Sequence, residues 1–284
     1  MIPAAFDYLA PATLAEALDV LSERGDGAKI LAGGQSLLPI LRMRLNAPDV
    51  LVDLGKVTEL QGVFDDGPGI VIGAMTTYHD LLADPLVREH AALLVDAVET
   101  VADPQIRHRG TIGGAIAHAD PAGDVGAPVL ALDASFVIVG PRGQRVVDGA
   151  DFFEDNFTTA VGDDEVLAAI RIPKHTGWGS HYEKFVRVSH QWSVVAVAAN
   201  VRVEGDTIAE ARIGLTNMGT TPLRATATEV ALVGVPLTEE AVAAACADVA
   251  AGTNPPSDLN ADADYRRHLA TVLTRRAVLA AAGK

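Results

Sequence analysis

The stretch Lys29-Ile30-Leu31-Ala32-Gly33-Gly34-Gln35-Ser36-Leu37-Leu38-Pro39 constrains the chain more than any other. Ile30 and Leu31 are strand-like, and two consecutive glycines accept backbone angles that a side chain forbids. Ser36 suits a helix N-cap, and Pro39 is tolerated in a first helical turn. The stretch therefore predicts a strand, a tight turn and a helix start, with backbone N–H groups pointing out of the turn. Such an arrangement binds anions, phosphates above all. Taken alone, it is also a plain strand–turn–helix corner. A second glycine cluster, Gly110, Gly113 and Gly114 around Thr111, lies within residues 107–124 and changes that balance. Two glycine-rich turns remote in sequence can cradle one diphosphate from two sides, each charge-assisted bond contributing roughly 1.5–3 kcal/mol. Neither turn is a Walker loop, because no Gly-Lys-Ser/Thr follows at the needed spacing, and neither is the Rossmann Gly-x-Gly-x-x-Gly.

A chain of 284 residues is long enough for two domains with their own cores. An apolar content of 49% argues against disorder. With 37 acidic and 22 basic side chains the net charge is −15, which argues against a nucleic-acid or anionic-membrane surface. The N-terminus lacks a basic region followed by an apolar core, so no secretory signal is expected. No apolar run reaches the roughly 20 residues of a membrane span. Cys246 is the single cysteine. It can form neither an intrachain disulfide nor a self-contained iron–sulfur cluster, which usually takes four cysteines, and in its alanine-rich run it reads as a small buried hydrophobe. The cytoplasm is the expected compartment.

Taken in order, Thr13-Leu14-Ala15-Glu16 is a capping box that opens a helix with Leu14, Ala17, Leu18 and Leu21 at helical spacing. Gly25 and Gly27 close it. Ser36 opens the next helix, which carries Arg42 and Arg44, and residues 50–54 form a strand. This β-α-β-α-β order predicts a small subdomain ending near residue 55. Residues 58–173 form a second, larger unit: a strand at 70–74, a helix capped by Thr77, another begun by Asp84-Pro85, a helix over 93–101, and the second glycine motif read as a ligand-wrapping loop. Strands at 135–139 and 145–147 flank a turn at 140–143, and a strand covers 165–172. Residues 175–180 form a polar joint and mark a domain boundary, so the division is 1–175 and 177–284. Strands follow at 182–188, 194–204 and 209–215, the last two joined by a tight Gly205-Asp206 hairpin. Helices are predicted at 225–233, 238–251 and 263–282, and Arg266, Arg267, Arg275 and Arg276 make a basic stripe on the last.

His108, His118, Asp120 and Asp124 could be read as metal ligands. A ligand set needs rigid supports, whereas their glycine-rich segment reads as a loop around a ligand. No Gly-x-Ser-x-Gly elbow is present for a serine hydrolase. At this point a metal-dependent hydrolase and a cofactor-free interaction subunit remain as alternatives to a dinucleotide-binding protein.

Ala32-Gly33-Gly34-Gln35-Ser36 together with Thr111-Ile112-Gly113-Gly114 resembles the FAD-binding medium subunit of the molybdenum hydroxylases. That family includes the medium subunit of aerobic carbon monoxide dehydrogenase and the flavin domain of xanthine dehydrogenase. The resemblance extends over essentially the whole chain, including the opening at residues 6–11 and the stretch 50–54. It implies an α+β protein: a two-subdomain FAD-binding fold of the vanillyl-alcohol-oxidase (PCMH) type, then a smaller α+β domain with an antiparallel sheet and helices. It implies noncovalent FAD, held by Lys29, Ile30, Leu31, Ala32, Gly33, Gly34, Gln35, Ser36 and Leu37, and by Val101, Thr111, Ile112, Gly113, Gly114 and Ala115. Asp124 matches an acid that contacts a cofactor hydroxyl. Leu167, Lys184 and Trp192 match positions near the isoalloxazine, where a lysine would stabilise the anionic reduced ring. No residue matches a catalytic acid or base. The chain departs from the family at Ala115 and His108, where asparagine is common.

The resemblance further implies an oxidoreductase subunit for electron transfer. Electrons would come from the iron–sulfur centres of a small partner, beside a large subunit holding the molybdenum cofactor, and pass to quinone, NAD or oxygen. Carbon monoxide dehydrogenase is the first expectation, and an N-heterocycle, xanthine or aldehyde dehydrogenase the second. The implied assembly is a dimer of heterotrimers without nucleic acid, cytoplasmic, with any contact to quinone or to the inner face of the membrane made through the complex.

Overall fold

The computed structural model describes residues 2–284. The chain opens with β1 (Asp7–Leu9), α1 (Leu14–Arg24), β2 (Ala28–Leu31), α2 (Leu37–Met43) and β3 (Val50–Asp53). The three strands form a parallel sheet in the order β1-β3-β2, pairing Tyr8 with Leu51 and Ile30 with Val52. The capping box at Thr13 forms with one change. Thr13 accepts from the Glu16 N–H, but the Glu16 carboxylate reaches back to the Ala12 N–H instead of Thr13's own.

Next come β4 (Val63–Asp65), β5 (Gly69–Gly73), α3 (Tyr78–Ala83), α4 (Pro85–His90), α5 (Ala92–Glu99), α6 (Pro104–Arg107), α7 (Ile112–His118), α8 (Gly126–Ala131), β6 (Ser135–Gly140), β7 (Gly143–Asp148), α9 (Gly149–Phe152), β8 (Phe153–Asp155), β9 (Thr158–Thr159) and β10 (Val166–Pro173). Five of these strands make an antiparallel sheet in the order β4-β5-β10-β6-β7. One core under it gathers Ile70, Ile72, Leu93, Leu94, Phe136, Ile138 and Ile170. A smaller one, with Leu21, Val52, Val137 and Val166, joins this sheet to the parallel one.

The last part holds β11 (Gly179–Phe185), β12 (Val195–Glu204), β13 (Thr207–Thr216) and β14 (Leu223–Arg224), an antiparallel sheet in that order, and then α10 (Thr226–Leu232), α11 (Glu239–Ala245) and α12 (Ala263–Ala281). Strand β12 is buried on both faces from Val195 to Val201, which explains its apolar start, Val195–Ala199. Val195, Val197 and Val201 face the core under α12, while Ala196 and Ala198 belong to the core of the five-stranded unit. Gly214 on β13 lies so close to α8 that a Cβ there would run into the Ala127 carbonyl. The sheet is thus packed tightly against both neighbours. The polar joint at 175–180 is tied down: His175 bonds the Leu132 carbonyl at 3.1 Å and Asn200 at 3.0 Å, and Ser180 donates to Asp96 at 2.7 Å.

Three sequence expectations are corrected here. Residues 112–118 are helical, not a loop. The helix predicted over 238–251 stops at Ala245. Arg266 does not belong to a surface stripe: it is 0% exposed, bonded to the Val194 carbonyl and paired with Asp258 at 2.8 Å. Cys246 is fully buried, and burial pushes its thiol up to about 12. Among the described residues no helix is long and apolar enough to cross a membrane.

Candidate cofactor site and its relatives

The two glycine motifs, far apart in the chain, touch each other. A Cβ on Gly33 would collide with the Arg109 carbonyl and lie 2.7 Å from the Gly110 Cα, while one on Gly114 would sit 3.1 Å from the Ala32 Cβ. Only glycines allow this approach of backbone to backbone. Gly34 adds a left-handed conformation at φ +75.

The two turns use their donors differently. In the first, the N–H groups of Gly33, Gly34, Gln35 and Ser36 donate to no acceptor among the described residues. Ser36 is not the side-chain cap that its position predicts: it is already helical (φ −102, ψ −47) and its hydroxyl makes no capping bond. The Gln35 side chain folds back onto the Gly33 carbonyl at 3.0 Å. In the second, Ile112 donates to Thr76, Gly113 to Ala74, and Gly114 to the Thr111 hydroxyl that caps α7. The first turn presents donors, and the second supplies the wall they stand on.

Beyond the turns lies a buried polar cluster. Lys184 Nζ is 2.7 Å from Asp124 Oδ2, and both side chains are 8% exposed. Tyr182 and Ser193 each donate to Asp124 Oδ1 at 3.0 Å, and Lys184 also donates to the Thr100 carbonyl at 3.2 Å. Burial raises the Asp124 carboxyl above its ordinary range, with Lys184 and the two hydroxyls pulling against that rise. Both carboxylate oxygens already have donors. Two of the three ammonium hydrogens of Lys184 are used, leaving one for a ligand. Tyr182 and Lys184 sit two apart on β11 and so share a face, opposite Ala198 and Ala196, whose small side chains leave room for them.

The segment joining α7 to Asp124 is held from several sides. Phe157 donates from its backbone to the Ala119 carbonyl and packs its ring on His118 at 5.1 Å, and Asn217 donates to the Pro121 carbonyl at 2.8 Å. Asp120 accepts from the Ala122 N–H. Burial lowers the His118 pKa, with the charge of Lys29 acting the same way and Asp120 opposing.

Of the residues singled out by resemblance, the structure brings together 29–37 and 111–115 at one place, and Asp124 and Lys184 beside Thr100 and Val101 at another. Leu167 is buried in the core on β10, the strand against α7. Trp192 stands apart, 62% exposed on the loop between β11 and β12. Tyr182, Ser193 and Thr100 escaped the sequence reading. The alternation of β11 was the available signal for Tyr182. That Tyr182, Lys184 and Ser193 converge on Asp124, from about sixty or more residues away, had no local signal.

This is the architecture of a dinucleotide-binding flavoprotein: donors free at a glycine turn, a glycine-tight wall, and a closing sheet that contributes polar side chains. The family model described as the FAD binding domain in molybdopterin dehydrogenase matches residues 4–175, and that described as the CO dehydrogenase flavoprotein C-terminal domain matches residues 180–281. The chain is 41% identical to the carbon monoxide dehydrogenase medium chain of Hydrogenophaga pseudoflava, over 99% of this chain and 98% of that one. The solved carbon monoxide dehydrogenase of the same organism superposes with a TM-score of 0.96 at 43% identity, covering 100% of this chain and 99% of that one. Quinoline 2-oxidoreductase from Pseudomonas putida 86 superposes at 0.94 with 34% identity, covering 100% and 99%. The chain belongs to the family of FAD-binding subunits of the molybdopterin dehydrogenases.

Proposed function

We propose that this chain is the flavin-bearing electron-transfer subunit of an aerobic carbon monoxide dehydrogenase. The observation that carries the site is the run of four uncommitted N–H groups from Gly33 to Ser36, set against the wall of α7. We assign the diphosphate to that run, with Lys29 supplying charge at its edge and Thr111 fixing the wall by capping α7. Lys184, with one hydrogen to spare, and the ordered hydroxyls around Asp124 orient the remainder. FAD, when bound, supplies the redox chemistry: it accepts electrons and passes them on. What this chain contributes is binding, orientation and exclusion of water. Residues 1–175 serve as the cofactor-binding domain and 177–284 as the part that closes over it.

The partners we infer are a small iron–sulfur subunit and a large molybdenum-cofactor subunit, in a dimer of heterotrimers in the cytoplasm. Contact with quinone or with the inner membrane face is assigned to the complex. The iron–sulfur interface should bury more than about 1,000 Å². The full-length likeness to a quinoline-oxidising relative supports a second reading, the flavin subunit of an N-heterocycle dehydrogenase. The two readings differ in the large subunit and not in this chain.

Purification of the complex from its host decides the matter. One FAD per chain and anaerobic bleaching near 450 nm by carbon monoxide are expected. Bleaching by an N-heterocycle but not by carbon monoxide selects the second reading. A complex without flavin overturns both.

A further inference from the structure

The turn that follows α5 is held by three side chains from three different places. Arg107 Nη1, on α6, donates to the Val101 carbonyl at 2.8 Å and lies 3.4 Å from that of Glu99. Lys184 holds the Thr100 carbonyl. His190, on the loop between β11 and β12, donates through Nδ1 to the Ala102 carbonyl at 2.5 Å. Both members of that last contact are left-handed without being glycine: Ala102 at φ 40 and His190 at φ 67. L-residues avoid this region, and such conformations persist where surrounding contacts over-determine them. The His190 loop is anchored at both shoulders, by Arg187 on the Leu259 carbonyl at 3.0 Å and by Ser193 on Asp124.

The turn belongs to the cofactor site on two grounds. Lys184 bonds Thr100 and Asp124 together, and α6 leads directly into the Arg109–Gly110 backbone that abuts Gly33. In a trans peptide the C=O and the following N–H point opposite ways. With the Val101 carbonyl held by Arg107 and that of Ala102 by His190, the N–H groups of Ala102 and Asp103 point away from those side chains. Neither donates to an acceptor among the described residues.

We propose that His190 is a positioning residue of the flavin site: reaching across from the closing sheet, it pins the left-handed Ala102 turn and so fixes the two backbone donors that the turn offers to the flavin. The proposal rests on the flavin reading above.

The test uses the purified complex carrying parent chain, His190→Gly or His190→Asn. Glycine keeps the left-handed backbone and deletes the donor, whereas asparagine tolerates the same backbone and retains a short N–H donor. FAD content, the shape of the flavin absorption band, the melting temperature and the rate of FAD release, followed by free-flavin fluorescence after dilution, are read for each. The glycine variant is expected to release FAD about tenfold faster, the scale of one lost hydrogen bond, with an altered band shape and a melting temperature near the parent's. The asparagine variant is expected within about twofold of the parent. A glycine variant that matches the parent in release rate and band shape overturns the proposal, and so does equal loss of FAD by both variants. A parent complex without FAD overturns the flavin reading itself.

Discussion

The turn at Gly33–Ser36 and the turn at Gly110–Gly114 carry the same glycine signature and lie in contact, yet their backbones are committed in opposite ways. The N–H groups of the first donate to no acceptor among the described residues. The second uses its own on Thr76, Ala74 and the Thr111 hydroxyl, and its glycines serve close packing. A glycine can therefore leave its N–H free, let another backbone come close, or, like Gly33, do both. Sequence shows the glycine and not which use it has.

Substitution separates the two uses. Gly113→Val should have the largest effect. A Cβ there would lie 2.6 Å from the Ala74 carbonyl oxygen and 2.7 Å from its Cα, both backbone atoms that cannot move aside alone. A loss of about 3 kcal/mol or more in stability is expected, read by chemical denaturation. A normally stable variant breaks the view of the second turn as wall. Gly33→Ala comes next. It should push the turns apart and weaken FAD binding about tenfold to a hundredfold, the scale of one or two lost hydrogen bonds, with a smaller drop in stability. Flavin content of the purified complex checks it, and full retention would show that the turns need not touch.

A finer contrast sets Thr111→Ala against Ser36→Ala. Thr111 makes a capping bond, so its loss should cost about 1 kcal/mol. Ser36 makes none, so its loss should stay within about 0.5 kcal/mol while lowering FAD affinity. Equal destabilisation by the two would erase the distinction between the turns. The smallest effect is expected from pH, and away from both turns. Burial lowers the His175 pKa, so the folded protein favours the neutral ring. The unfolded chain then binds more protons just below the ordinary value of 6.5, and stability present above that value is lost as pH falls toward the folded one. A shallow decline in melting temperature on acidification, reduced in His175→Gln, is the expected reading. His118, lowered in the same direction, contributes to the remaining slope.

What could be read from the sequence follows the range of the interactions involved. The Thr13 cap, the Asp84-Pro85 helix start and the Gly205-Asp206 hairpin depend on neighbours within a few residues, and all three form, the Glu16 carboxylate alone shifting to the Ala12 N–H. Helix α7 was missed because Gly113 and Gly114 depress helix propensity, and its support comes from the Thr111 cap and from packing on β10. Arg266 read as a surface charge because its acceptors, Asp258 and the Val194 carbonyl, come to it only in the fold. For the same reason Asp124 and Lys184 appeared as separate ligand contacts, although each is the other's nearest partner. The glycine clusters are legible in the sequence, whereas the pairing of Asp124 with Lys184 across the seam is not.

The buried thiol of Cys246 gives the protein an internal clock. It is the one cysteine in the chain, it lies just past α11 in the core under α12, and its raised pKa leaves almost no thiolate at neutral pH. A thiol reagent can reach it only when that helical layer opens. When closing outpaces labelling, the labelling rate reports the free energy of that opening. The helices over the closing sheet can thus be timed in the unaltered protein, with FAD bound or removed.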